Sequence, residues 1–256
     1  GLAEVFLVAV ALAVAAIPEG LPVALTVALS AAVSRMGKRN VIVRRLPAVE
    51  GLGACTLIAA DKTGTLTLNE MTVRRLWLPQ AGDVDVDGDG LAVPGALSRA
   101  GGDLSEEEIG LAQSLALAGG LCNEATLAEQ DDGTVIRFGD TVDLAFLVLA
   151  RKLGITHATL PQTYAQVAAI PYEPSIRYAA AFVREGDQII AHAKGATETI
   201  LPMCQGVDVE AAFREVDRLA ARGFRVLALA SGSVDPSRVS SGPAHALTNL
   251  NFLGLA

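Results

Sequence analysis

The chain reads as a mixed α+β protein carried behind one long membrane-spanning helix, and three features of the sequence say so. An apolar stretch occupies residues 5–34. A short apolar run, Thr56-Leu57-Ile58-Ala59-Ala60, leads straight into Asp61-Lys62-Thr63-Gly64-Thr65. From about Arg74 onward, strand and helix signals alternate between turn residues. Composition narrows the classes. The 256 residues are 51% hydrophobic and 19% charged, with a net charge of −8 and a mean hydropathy of +0.42, slightly too apolar for an ordinary soluble enzyme. Three scattered cysteines and 4% aromatic content exclude a disulfide-built secreted scaffold. The acidic balance argues against nucleic acid as a partner, since such a binder needs a basic face. The chain opens on Gly1 and stops within the apolar run Phe252-Leu253-Gly254-Leu255-Ala256, so it reads as a fragment of something larger.

The apolar stretch comes first. Between residues 5 and 34 the only ionisable side chain is Glu19, and about 20 apolar residues suffice to span a bilayer. A signal peptide would have a shorter core with positive charge before it. Here the cations follow, as Arg35, Lys38, Arg39, Arg44 and Arg45. Lys and Arg flanking a span mark its cytoplasmic side, which places the residues after Ser34 in the cytosol. Within the span lies Ile17-Pro18-Glu19-Gly20-Leu21-Pro22. Each proline removes a helical hydrogen bond and obstructs the carbonyl one turn earlier, so the helix should unwind locally. That frees carbonyls around Val14, Ala15 and Ile17 beside the Glu19 carboxylate. Such hard oxygen donors suit Ca²⁺ or a similar cation, and an intramembrane acid is costly enough to favour a functional role. The plainer alternative is a kinked anchor helix with a protonated or paired glutamate.

Residues 56–60 fit a buried parallel strand. An acid at the carboxyl end of such a strand, followed by a glycine turn rich in hydroxyls, sits where open α/β sheets place their active sites. A carboxylate there can attack a phosphoryl group, with Lys62 and the turn amides holding phosphate oxygens. The same pattern also suits a salt-bridged strand end. Beyond Arg74, residues 84–92 alternate around Asp87-Gly88-Asp89-Gly90 as a hairpin would. Asp83-x-Asp85-x-Asp87-Gly88 imitates a calcium loop, but Pro94 stands where the closing Glu is required and no helix precedes it. Helices are expected over 109–121 with Ser105 as cap, over 142–153 and over 209–222, and a strand over 247–256. No GxxxxGK[ST] loop occurs. The histidines and cysteines show no metal-ligand spacing, and the thiols are expected to be reduced, with Cys55 packed in the strand before Asp61.

Asp61 to Thr67 reads DKTGTLT and residues 17–22 read IPEGLP. With Val43-Arg44-Arg45-Leu46-Pro47-Ala48-Val49-Glu50 and Asn69-Glu70-Met71-Thr72-Val73 between and after them, the chain closely resembles the P-type cation-transporting ATPases, and most of all the type II, calcium-pump-like group. Four later segments resemble that family's nucleotide motifs: Gly139-Asp140-Thr141-Val142-Asp143, Pro171-Tyr172-Glu173-Pro174-Ser175-Ile176-Arg177, Lys194-Gly195-Ala196-Thr197-Glu198 and Gly223-Phe224-Arg225-Val226-Leu227-Ala228. Asp143, Tyr172 and Thr197 depart from the commoner Glu, Phe and Pro.

The resemblance implies that Asp61 takes the γ-phosphate of ATP, with Lys62 and Thr65 contacting phosphate and the Thr63 backbone, together with Asp61, holding Mg²⁺. It implies an ATP pocket in which Tyr172 stacks on adenine, Asp143, Lys194 and Gly195 line the adenosine site, and Arg177 and Arg225 approach the phosphates. Val14, Ala15, Ile17 and Glu19 become ligands of the transported cation, Ca²⁺ by this likeness. The related hydrolytic enzymes of the haloacid-dehalogenase-like superfamily carry a second acid where Thr63 stands. By the same likeness residues 1–35 are the transmembrane helix and 36–73 the first part of an α/β phosphorylation domain. Residues 74–246 form a nucleotide-binding domain with an antiparallel sheet and flanking helices, and 247–256 a return strand. The parent is then an integral membrane protein of the cell membrane. Its actuator domain, the rest of the phosphorylation domain and the later helices are absent from the chain. The alternatives are a pump for Na⁺, H⁺, Mg²⁺ or Mn²⁺, or, for the fragment alone, an ATP-binding module on one anchor.

Overall fold

The computed structural model describes the whole chain except Ile17, Glu19, residues 89–96, Gly101, 130–134 and 156–159, together with the side chains of Glu129, Pro161 and Gln162. It divides into two compact units, Gly1–Leu66 and Thr67–Ala256.

The first unit is helical. α1 (Leu2–Ala15) and α2 (Gly20–Gly37) bury no residue, and the stretch Leu2–Gly37 is long and apolar enough to cross a membrane by length and composition. The break falls at the expected place. Pro18 has no N–H to offer the Val14 carbonyl, and its own carbonyl accepts from the Leu21 amide at 3.0 Å. Of the expected cation ligands, Ile17 and Glu19 lie outside the described residues. α3 (Pro47–Gly53) follows. Residues 56–60 do not form the expected strand: Leu57 and Ile58 are exposed, and Cys55 is an exposed free thiol rather than a packed one. The reason is the hydrogen-bond requirement of extended backbone. A parallel strand needs neighbouring strands for its amides and carbonyls, and the described residues of this unit supply none. The expected α/β phosphorylation fold is therefore represented here by α3 and a turn.

The second unit is a sheet with helices on both faces. Among the described residues ten strands run in chain order as β1 (Arg75–Leu78), β2 (Gly82–Val86), β3 (Leu97–Ser98), β4 (Thr126–Glu129), β5 (Val135–Phe138), β6 (Ala165–Ile170), β7 (Tyr178–Glu185), β8 (Gln188–Gly195), β9 (Ala228–Val234) and β10 (Asn251–Leu255). Eight of them form one antiparallel sheet ordered β3-β2-β1-β10-β9-β8-β7-β6, and β4 and β5 form a separate ribbon. Residues 247–256, expected as a return strand, thus place β10 in mid-sheet between β1 and β9. The expected hairpin over 84–92 is real on its first side, but Val86 pairs with Leu97, and part of its turn lies outside the described residues.

Alternation along the strands sends side chains to two cores. Leu76, Leu78, Val84 and Leu229 face α4 (Glu106–Leu121) and α5 (Thr141–Lys152). Ala180, Phe182, Ala191, Ala193, Ala230 and Phe252 face the other side. That side is covered by α7 (Thr197–Ile200), which follows the short α6 (Leu160–Thr163), and by α8 (Val209–Ala220) and α9 (Pro236–Ser241). The expected cap at Ser105 is present, and Asp140 and Asp208 add two more. Ser105 and Glu108 close a reciprocal capping box, and those bonds hold the Glu108 carboxyl below the usual range. Asp140 accepts from the Val142 amide at 2.8 Å and Asp208 from the Ala211 amide at 2.9 Å.

One buried group on β8 carries a cost. His192 is 4% exposed and neither ring nitrogen has a hydrogen-bond partner among the described residues. Burial pushes its pKa down from 6.5 to about 4. Below pH 6.5 the unfolded chain therefore binds a proton that the folded chain refuses. Stability should be constant above that pH and fall by about 2 kcal/mol between pH 6.5 and 5, before most carboxylates titrate. Urea unfolding followed through Trp77, the single tryptophan, measures this. His192→Leu should flatten that slope, and an unchanged slope would contradict the assignment.

Candidate functional site

The first turn of α5 organises the site. Asp143 lies three residues past the Asp140 cap, and both of its carboxylate oxygens are held. Oδ1 accepts from the Lys194 ammonium at 2.6 Å and Oδ2 from the Glu124 amide at 3.0 Å. Lys194 projects from β8, is 5% exposed, and stands 4.8 Å from the centre of the Phe146 ring, one turn along α5 from Asp143. Its charge is thus met by a carboxylate and by an aromatic face. Phe146 reaches this position because Gly119 on α4 has no side chain: a Cβ there would lie 2.2 Å from the ring.

A second layer fixes Asp143 from below. The Asn123 amide donates to the Asp143 carbonyl at 2.7 Å, and its oxygen accepts from the Ala125 amide at 2.8 Å. Asn123, Phe146 and Gly119 were not singled out from sequence. Their one signal is position, since Gly119 and Asn123 flank the end of α4 and Phe146 follows Asp143 by three residues, on the same side of the helix.

Of the sequence-expected nucleotide residues, Asp143 and Lys194 are in direct contact. Tyr172, half exposed, shares with Asp143, Asn123, Glu124 and Ala179–Ala181 a cleft of about 100 Å³. Gly195 ends β8 where the strand meets Arg177: a Cβ at Gly195 would lie 2.5 Å from the Arg177 carbonyl, so the position admits no side chain. Arg177 adopts a φ of 60° and its guanidinium is paired with Glu198 at 2.7 Å, on the surface. Arg225 lies elsewhere, in a cleft of about 260 Å³ with Glu70, Arg74, Val142 and Phe146. α5 stands between the two clefts, giving Asp143 to one and Val142 and Phe146 to the other. A third, of about 250 Å³, adds Thr141 and Leu144 from the same helix.

Asp61, Lys62, Thr63 and Thr65 belong to the first unit. There the Thr63 amide points to Asp61 Oδ1 at 3.4 Å, the Leu66 amide donates to the Lys62 carbonyl at 3.0 Å, and Gly64 takes a φ of 74°. The result is an exposed, tight turn with the carboxylate at its mouth. No group of three or more His, Cys, Asp or Glu side chains suited to a metal occurs among the described residues. Two of the three acids of the imitation calcium loop are already matched: Asp85 pairs with Arg75, and Asp83 with Arg75 and Arg218.

An antiparallel sheet with flanking helices in a mixed α+β domain is the architecture of a cytoplasmic domain of the P-type ATPases. Residues 112–256 match the family described as P-type ATPase, cytoplasmic domain N. The chain belongs to the P-type cation-transporting ATPase family. Similar proteins include the "Probable cation-transporting ATPase F" of Mycobacterium tuberculosis, 41% identical over 246 residues, 90% of this chain and 26% of that protein. The "Cation-transporting ATPase pma1" of Synechocystis is 38% identical, covering 98% and 29%. The "Calcium-transporting ATPase" of Bacillus subtilis is 35% identical, covering 99% and 30%. The chain spans less than a third of the length of these relatives.

The energetic weight of the ion pair can be tested directly. Lys194→Met should cost about 3 kcal/mol, because it strands a largely buried carboxylate. Combining it with Asp143→Asn should restore a large part of that loss. A double-mutant cycle in urea, again read from Trp77, measures the coupling. Simple additivity of the two losses would mean that the pair does not act as one unit.

Proposed function

We propose that this chain carries the phosphoacceptor and the ATP-binding domain of a cation pump, with Ca²⁺ as its cargo. The observation that carries the reading is the buried Lys194–Asp143 pair beside the Tyr172 cleft, in a chain that also presents Asp61 at the mouth of a hydroxyl-rich turn. ATP fits this cleft chemically. Tyr172 offers an exposed face for the adenine ring, Asp143 a fixed polar group at the cleft wall with Lys194 paired behind it, and Arg177 and Arg225, which lie outside this cleft, would meet phosphates that extend beyond it. Residues 74–246 serve as the nucleotide-binding part and 36–73 as the start of the phosphorylation part.

In the proposed reaction an Asp61 carboxylate oxygen attacks the γ-phosphorus of ATP. The bond from phosphorus to the bridging oxygen breaks, and its electron pair leaves with ADP, so no proton is needed. Asp61 and the Thr63 carbonyl are two hard oxygens on one turn and would be the residues to hold Mg²⁺. Mg²⁺ would neutralise charge developing on the transferred group, while Lys62 and Thr65 orient it.

Transport would follow from the interrupted span. On this reading the Val14, Ala15 and Ile17 carbonyls and the Glu19 carboxylate would be the oxygen donors at mid-membrane depth. Residues after Ser34 would face the cytosol of a cell membrane. The calcium assignment rests on those donors and on the likeness to the Bacillus subtilis protein, which is named for calcium.

Incubation with γ-labelled ATP and Mg²⁺ tests the chemistry. The expected product is an acid-stable, hydroxylamine-labile label that Asp61→Asn abolishes, while Tyr172→Ala weakens ATP binding about tenfold. ATP binding without label would favour a binding module on an anchor. Unchanged affinity in Tyr172→Ala would remove the proposed cleft.

A further inference from the structure

On the sheet face opposite Lys194, one large aromatic side chain is left partly uncovered. Leu76 and Leu78 of β1 are fully buried toward α4 and α5. Alternation turns Trp77, between them, to the other face, where it packs at the margin of the core under α7, α8 and α9. Its ring lies 6.3 Å from that of Phe252, tilted by 43°. β10 can come this near because Gly254 has no side chain: a Cβ there would lie 2.3 Å from the Trp77 carbonyl. Trp77 stays half-buried, and its indole N–H meets no acceptor among the described residues. A tryptophan packed into a core usually finds one.

Trp77 and Phe252 border a cleft of about 400 Å³, whose other walls are the turn after β1, the loop before α8 and the start of β10. Four planar polar side chains line it as well: Gln80, Gln205, Asp208 and Asn251. The three amides make no side-chain hydrogen bond among the described residues. Asp208 caps α8 through Oδ1, which leaves Oδ2 for another donor. Among the described residues no Lys or Arg lines this cleft.

That inventory selects among ligand classes. A nucleotide or other phosphate would meet a carboxylate with no cation to offset it. An acyl chain would bury four polar groups without partners. A metal ion would find one carboxylate that is already a cap. An organic ammonium would use Asp208 and the indole face but leave three amides idle. A sugar uses them all. Its hydroxyls both donate and accept, as the amides do, and Asp208 accepts. The carbon-bound hydrogens of its ring, made slightly positive by neighbouring oxygens, suit the negative face of the indole.

We propose that this cleft is a binding site for a neutral saccharide, with one sugar ring on Trp77 and its hydroxyls bonded to Gln80, Gln205, Asn251 and Asp208. The site is separate from the Tyr172 cleft, which lies on the α4 and α5 side of the sheet with Asp143.

Trp77 is the single tryptophan, so its emission reads the cleft directly. The full chain in phosphatidylcholine nanodiscs is titrated with glucose, with maltose and with tetramethylammonium chloride. One of the sugars should shift the emission saturably, with half-saturation in the millimolar range. Gln205→Ala/Asn251→Ala, both at exposed positions, should weaken that affinity about tenfold. Asp208→Asn, which keeps a good cap, should weaken it about threefold. Saturating ATP should leave the response in place. A change that rises without saturating, equally in the Gln205→Ala/Asn251→Ala chain, would overturn the proposal. Saturation by tetramethylammonium and by neither sugar would assign the cleft to a cation and overturn it too. Competition by ATP would place the sugar in the nucleotide cleft, with the same consequence.

Discussion

A positive charge buried beneath an antiparallel sheet must be answered where it lies, and around Lys194 the answer involves three elements at once. Its ammonium is removed from water by α4 and α5 and repaid by Asp143 at 2.6 Å and by the Phe146 ring. Neither partner could reach it unless α5 lay close against α4, which the missing side chain of Gly119 permits. The Asp143 position is in turn set from α4 and the segment after it, through the Asn123 side chain and the Glu124 amide. Removing one member leaves a charge or a polar group without its partner, which in a site this buried costs more than the pair contributes when intact. The tight geometry of the cluster follows from that asymmetry.

The same cluster shows why α5 sits at the centre of the second unit. An α-helix turns 100° per residue, so Thr141, Val142 and Asp143 point to three directions within one turn. Each opens on a different cleft. A ligand that moved Asp143 would tilt the same first turn that lines the clefts of Arg225 and of Arg137. That coupling needs no long pathway, because one rigid helix end is shared.

What could be read from the sequence was local. Ser105 announces a helix start because capping is decided by a side chain and the amides two or three residues on, and Asp140 and Asp208 cap two further helices by the same local rule. The prolines at 18 and 22 announce the break between α1 and α2 for the same reason. The place of β10 in mid-sheet was not legible, since nothing in Asn251–Leu255 distinguishes a strand bound for one neighbour from a strand bound for another. Residues 56–60 misled in the opposite direction: their composition is right for a buried strand, yet strand formation belongs to a pair of segments, and no partner exists within Gly1–Leu66 among the described residues. In the site, Lys194 and Asp143 were legible singly through motifs, but their contact is 51 residues apart in sequence. Asn123 was invisible because an asparagine after a helix is most often a cap, and its role appears only once the α5 carbonyl it binds is in place.

The chemistry of residue 63 carries the argument one step further. On the proposed mechanism the phosphorylated Asp61 must survive long enough for a conformational change to follow from it. A carboxylate two residues on could deprotonate water and hydrolyse the acyl phosphate at once. Thr63 offers only a hydroxyl, whose pKa is far too high for that task, and its amide is already turned toward Asp61 Oδ1. An amide aimed at the carboxylate stabilises charge on it without consuming a proton. On that mechanism the turn would suit forming an aspartyl-phosphate and not hydrolysing it.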